Sequence, residues 1–151
     1  MKKFELTNEF ITNMFGTKLF RIRALVEFGD VEAGELGGYV EKESNLGHDD
    51  NAWVYDNAWV YGNAQVSGDA RVCGDARVCG NGDYAYAHGF GSVNRTTTFF
   101  RLKDGGVGVR CGCFYGTLAQ FRDKIRETHG ETKKAQEYLM LADLMKLRFE
   151  K

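Results

Sequence analysis

Proline is absent from all 151 residues, so every peptide unit keeps a backbone N–H for pairing and no repeat is interrupted on that account. Also missing is any apolar run near the roughly 18 residues that a membrane-spanning helix needs. The opening MKKFELTNEF carries two lysines but lacks the apolar stretch of a secretory signal, so a cytoplasmic location is expected. Neither sign of charge dominates. Twenty Lys and Arg against 21 Asp and Glu leave a net charge of −1, which excludes a general basic field for nucleic acid. Cysteine is scarce. Cys73 and Cys79 are six residues apart, and Cys111 and Cys113 form a C-x-C rather than the wider pairs of zinc sites; reduced thiols and no metal site are expected.

What is present is a repeat. From Ala52 the chain reads AWVYDN, AWVYGN, AQVSGD, ARVCGD, ARVCGN, with alanine at 52, 58, 64, 70 and 76 and valine at 54, 60, 66, 72 and 78. A six-residue period is too short for a helical repeat and points to a hexapeptide β-helix. Valine and the alanine four residues on share one side of a locally extended chain, so both read as inward. Gly62, Gly68, Gly74 and Gly80, each followed by Asn or Asp, supply the turns. Three hexapeptides complete one coil of a triangular prism, which makes residues eighteen apart ladder partners. Trp53 should then lie against Arg71, Trp59 against Arg77, Tyr55 over Cys73 and Tyr61 over Cys79, with Cys73 and Cys79 on different faces and not disulfide-bonded. Val40 and Leu46 keep the alanine phase upstream, and Gly82, Tyr84 and Phe90 continue the phases downstream, giving two and a half to three coils.

The flanks read as caps. Phe20, Ile22, Ala24, Val26 and Phe28 alternate with Arg21, Arg23, Leu25 and Glu27 as a half-buried strand. TTTFFRLK and VGVRCGC, separated by DGG, read as two strands. Thr117 with Gln120 fits a capping box opening a helix with Leu118, Phe121 and Ile125 on one face, closed at His129-Gly130. Thr132 caps a last helix carrying Leu139, Leu141, Leu144, Met145 and Leu147. The expected organisation is an N-terminal strand region over 1–38, the repeat over 39–95 and a C-terminal ββαα cap over 96–151. The fold class is mainly β with a C-terminal α portion.

Aromatic planes and guanidinium groups suit a nucleotide: rings stack on the base and forked donors grip phosphate. Trp53, Trp59, Tyr61, Arg71, Arg77, Tyr84 and Arg95 are the candidate binding residues on that ground. The competing reading is that these aromatics stabilise the ladders or pack against the flanks. GFGSVNR lacks the lysine of a phosphate loop. His48 beside Asp49 and Asp50, and His88 in YAYAHGF, are the candidates for a general base; His129 reads as a helix-end cation.

The segments LFRIRALVEFGDVEAGELGGYV at 19–40, NL at 45–46, AWVYDNA at 52–58 and the tail TTTFFRLKDG…CGCFYGTLAQF…THG resemble a family of phage and prophage hexapeptide-repeat proteins, similar in turn to bacterial repeat proteins that carry a transferase label. That resemblance implies a left-handed β-helix, a phage origin and hence the cytoplasm of an infected bacterium; it supplies the handedness, since left-handed crossovers depart from the usual rule. Trimers are common among hexapeptide folds, so a homo-oligomer, a trimer by that likeness, is expected. The family name implies no established reaction. Three functions remain open: a non-enzymatic binding protein that antagonises host defence by sequestering a nucleotide-like signalling molecule, a direct protein inhibitor of a host defence complex, and a hexapeptide acyltransferase using His48 or His88. The first is preferred, without a cofactor.

Overall fold

A computed structural model describes residues 2–90, 95–112 and 114–150, with Arg95 described by its backbone alone. Eleven strands precede two helices among them: β1 (Phe4–Thr12), β2 (Lys18–Ala24), β3 (Leu36–Val40), β4 (Trp53–Val54), β5 (Trp59–Val60), β6 (Arg71–Val72), β7 (Arg77–Val78), β8 (Tyr84–Phe90), β9 (Arg95–Arg101), β10 (Val107–Cys111), β11 (Phe114–Thr117), α1 (Leu118–His129) and α2 (Lys133–Phe149).

The repeat places its residues as its period requires. All five alanines and all five valines are buried, and each short strand meets its partner eighteen residues on: Trp53 with Arg71 and Val54 with Val72, then Trp59 with Arg77 and Val60 with Val78, all parallel. Gly62, Gly68 and Gly74 turn with φ between 61° and 70°, and Asp56 takes the same left-handed conformation at φ 58°. An acid on the preceding rung caps each of these glycine turns. Glu41 accepts from the Gly62 N–H at 2.9 Å, Asp50 from Gly68 at 2.8 Å and Asp56 from Gly74 at 3.2 Å.

The expected architecture, a short left-handed hexapeptide β-helix between two caps, is corrected. The chain forms a five-stranded mixed sheet ordered β1-β2-β3-β5-β7, a four-stranded antiparallel sheet ordered β11-β10-β9-β8, and a two-stranded parallel ladder of β4 and β6, followed by the two helices. The repeat strands are only two residues long, so β5 and β7 extend a sheet begun by the antiparallel β1–β3. The third set of repeats contributes a single parallel bridge, Leu46 with Val66. Beyond Val78 the chain leaves the repeat through a short turn at Asn81–Asp83, and Tyr84 and Phe90 pair antiparallel with β9 instead of continuing the phase.

The upstream phase also differs. Val40 pairs with Val60 and Leu46 with Val66, twenty residues apart, so both occupy the valine ladder and not the alanine one. Six residues separate Val40 from Leu46 but eight separate Leu46 from Val54. The two additional residues fall in the Gly47–Asn51 segment. The N-terminal strand predicted over 20–28 ends at Ala24, while β1, β8 and β11 were not foreseen, and the C-terminal sheet has four strands where two were expected.

Two cores result. One joins the repeat to Phe4, Ile22, Ala24, Val31 and Phe100; the other joins Phe99, Val109 and Cys111 to the inward faces of α1 and α2. Phe99 and Phe100 are neighbours on β9, and strand alternation sends one ring into each core. Both helix starts follow from their capping residues. Thr117 Oγ1 accepts from the Gln120 N–H at 3.2 Å while its own N–H donates to Gln120 Oε1 at 2.8 Å, and Thr132 Oγ1 accepts from Ala135 at 3.3 Å. Gly130 closes α1 at φ 61°.

The exit from the repeat is fixed by one carboxylate. Asp83 accepts from Arg101 Nε at 2.9 Å and from both the N–H and the thiol of Cys79 at 3.1 and 3.2 Å. Burial pushes its pKa upward, but the hydrogen bonds from Arg101 and Cys79 outweigh burial and hold it below the ordinary 3.8. A carboxylate depressed in the folded state stabilises it above the unfolded value and loses that contribution as pH falls through the folded one. Asp83→Asn is therefore expected to cost about 1.5–3 kcal/mol at neutral pH. In denaturant titrations run from neutral pH downward, the gap from the parent protein should narrow below pH 3.8; a gap independent of pH would refute the assignment.

Candidate ligand cleft between the repeat and the C-terminal sheet

A cleft of about 380 Å³ opens where the turn after β2, the repeat and the β8–β9 edge meet. Gly29 and Asp30 line it from the turn, Asn51, Asp69 and Arg71 from the repeat region, and His88 and Thr96 from β8 and β9. Arg71 is placed by its own backbone, whose N–H donates to Thr98 Oγ1 at 3.0 Å. Its guanidinium lies 3.4 Å from Asp30 Oδ2 and stays about one-third exposed (33%), a loose pair with donors to spare. Asp30 is held from behind by the Tyr55 hydroxyl at 3.1 Å. Burial above all, with the Asp30 charge next, pushes the Tyr55 phenol up to about 12, and Arg110 lies 4.7 Å from the centre of its ring. Across the cleft, His88 Nδ1 sits 2.7 Å from Thr96 Oγ1 and 4.0 Å from Asp69 Oδ2.

The residues expected to form one aromatic and arginine site are distributed over several places. Trp53 is fully buried, edge-on to Phe4 and Phe28, and offers no ring face to a ligand. Its register with Arg71 is as expected, but the Arg71 guanidinium turns to Asp30. Trp59 and Arg77 stand in a cross-strand row of the five-stranded sheet with Arg21 and Tyr39, and Tyr61 follows just beyond β5. There Arg77 covers the Trp59 ring at 3.9 Å and Tyr61 meets its edge, so the indole already has a cation. Tyr84 donates its hydroxyl to the Gln65 carbonyl at 2.6 Å and ties β8 to the repeat. The side chain of Arg95 lies outside the described residues, as does Cys113. Of the predicted set, Arg71 alone among the described side chains lines the cleft, joined there by His88.

No family model matches this chain, and no curated protein does. The cleft must therefore be read from its own chemistry.

His48 does not fit the role of general base. The Lys3 N–H donates to its Nδ1 at 3.0 Å and the ring stacks on Phe4 at 4.4 Å with an interplanar angle of 7°. In the neutral ring the remaining nitrogen carries the hydrogen, so the lone pair a base needs is occupied. His88 has Thr96 and Asp69 both facing Nδ1, whereas a triad places its acid and its nucleophile on opposite ring nitrogens. Cys73, Cys79 and Cys111 are free thiols, and Thr97 donates to Cys111 inside the second core. Among the described residues no helix is long and apolar enough to cross a membrane. Asp30, Asn51, Asp69 and Thr96 were not anticipated. They come from turns and strand edges far apart in sequence, and no motif links them.

What the cleft offers is a cation with unused donors, an imidazole, a hydroxyl, an amide and two carboxylates around one small volume. That inventory can grip an anionic group at Arg71 and His88 while Asp30 or Asp69 accepts from hydroxyl or amino groups.

Proposed function

We propose that the protein acts by binding: a phage-encoded antagonist of host defence that holds a nucleotide-like signalling molecule in the cleft around Arg71 and His88. The observation that carries this reading is the convergence of Arg71, His88, Thr96, Asn51, Asp30 and Asp69 on one 380 Å³ cleft, a volume within the usual range for small-molecule sites. Recognition in this cleft relies on hydrogen bonding and charge, since the rings first expected to stack on a base lie elsewhere. The phage setting rests on the family resemblance of residues 19–58 and of the tail.

The test is calorimetry and native mass spectrometry with cyclic nucleotides and ADP-ribose derivatives. Binding is expected, and Arg71→Ala should weaken it by about tenfold or more, the loss of a charged hydrogen bond. Absence of any bound nucleotide, or an affinity indifferent to Arg71→Ala, would sink the proposal. Direct inhibition of a host protein is favoured by a separate observation. The β1–β2 hairpin ends in a turn pinned by Asn13, whose Oδ1 accepts from Phe15 and Thr17, and which presents Met14 and Phe15 almost fully to solvent. Capture of a host defence protein without small molecule, lost on altering Met14 and Phe15 but not Arg71, would establish that reading in its place.

A further inference from the structure

Helix α2 buries Ala135, Tyr138, Ala142, Met145 and Phe149 against α1 and the C-terminal sheet. Its opposite side carries a second apolar stripe: Met140, Leu144 and Leu147 are 71%, 53% and 68% exposed. The spacing of four and then three is that of the alternating core positions of a coiled coil. Residues flanking the stripe follow the same seven-residue period, with acids on one side alone and bases on the other alone. Gln136, Asp143 and Glu150 run along one side, Lys134, Leu141 and Arg148 along the other. Apart from the half-buried Leu141, all of these are exposed. Asp143 also reaches Arg122 of α1 at 2.6 Å, which holds that carboxylate in place.

We propose that α2 is a self-association helix on which further copies of this chain pack with their α2 helices parallel. The placement of Asp143 and Arg148 on opposite flanks, five residues apart, selects the occupant and its direction. In a parallel assembly Asp143 of one copy is placed toward the residue five positions on, Arg148, in its neighbour, an opposite-charge pair. An antiparallel pair centred on the stripe would set Asp143 against its own counterpart, a like-charge contact that costs stability. The assembly is rotational, and its axis runs along α2.

The full-length protein should give a native mass of a small multiple of 17.0 kDa, and Leu144→Asp should reduce it to the single-chain mass. Met140→Cys and Leu147→Cys, each prepared alone, should form an interchain disulfide on mild oxidation beyond the level seen with the parent protein. In parallel register each cysteine meets its own counterpart. In an antiparallel pair centred on the stripe these positions are offset by seven residues, roughly 10 Å, beyond disulfide reach. Arg148→Glu should weaken assembly and Asp143→Lys added to it should restore it. A single-chain mass at every concentration, or cross-linking only when the two cysteine variants are mixed, would overturn the proposal.

Discussion

Trp53→Ala is expected to lower the free energy of unfolding by about 3–5 kcal/mol, the range for deleting a fully buried aromatic ring. The indole is enclosed, with Phe28 edge-on at 5.3 Å and Phe4 at 6.3 Å. Gly37 exists in its form to admit that ring: a Cβ there would stand 2.8 Å from Trp53 Cζ2 and 2.6 Å from the Val54 carbonyl oxygen. The wall opposite the indole is backbone that cannot close over a cavity, so relaxation should recover little. Trp53→Phe provides the control. Trp53 Nε1 is buried without a hydrogen-bond partner among the described residues, and removing it relieves a desolvated donor, so the phenylalanine variant should lose much less. Urea denaturation of both variants decides the matter. A loss under about 1 kcal/mol for alanine would place the indole at the surface, and equal losses in the two variants would refute the gain from removing its buried donor.

Lys3→Met comes next in size, at about 3 kcal/mol or more. Lys3 is a buried cation (2% exposed) whose ammonium donates to Asp50 Oδ1 at 3.1 Å, the Asp50 carbonyl at 3.0 Å and the Ala52 carbonyl at 2.6 Å, with Phe28 at 4.6 Å. Methionine retains the stem and strands those acceptors, including the carboxylate that caps the Gly68 turn. Burial drives the Lys3 ammonium below its ordinary 10.5, with Asp50 and Asp49 opposing. Because the folded ammonium releases its proton first, the unfolded chain binds more protons between the folded value and 10.5, and stability attributable to Lys3 rises with pH across that interval. The gap between parent and variant should thus be wider near pH 10 than near pH 7. Denaturant midpoints at the two values test this, and a gap that shrinks on the alkaline side would show the sign to be wrong.

The repeat was the most legible part of the chain because its information is local and redundant. Five alanines and five valines at one period place the inward ladders, which are all buried, and the eighteen-residue partners of β4 and β5, Arg71–Val72 and Arg77–Val78. Thr117 with Gln120 announced a helix start for the same reason: a capping box is complete within four residues. The sheets were not legible, because they depend on what packs beside the repeat. Trp53 stands at the outward position of its hexapeptide and would face solvent if the repeat stood alone; Phe4, forty-nine residues earlier in the chain, covers it. The candidate site failed for a related reason. Side chains equivalent in the repeat, such as Arg71 and Arg77, fall on different faces, and only Arg71 meets the β8–β9 edge. His48 looked available beside two acids, but its nitrogen had been claimed by the backbone of Lys3.

The two added residues between Leu46 and Val54 behave like a dislocation in a crystal: the offset is complete where it occurs and nothing downstream inherits it. Register restarts at Val54, and the rungs that join β4 to β6 and β5 to β7 keep a spacing of eighteen. The Gly47–Asn51 bulge also carries Asn51 into the ligand cleft and receives Lys3 as its fastening. The wall of the cleft can therefore change in length and composition at this one point while the ladders beneath it stay in step.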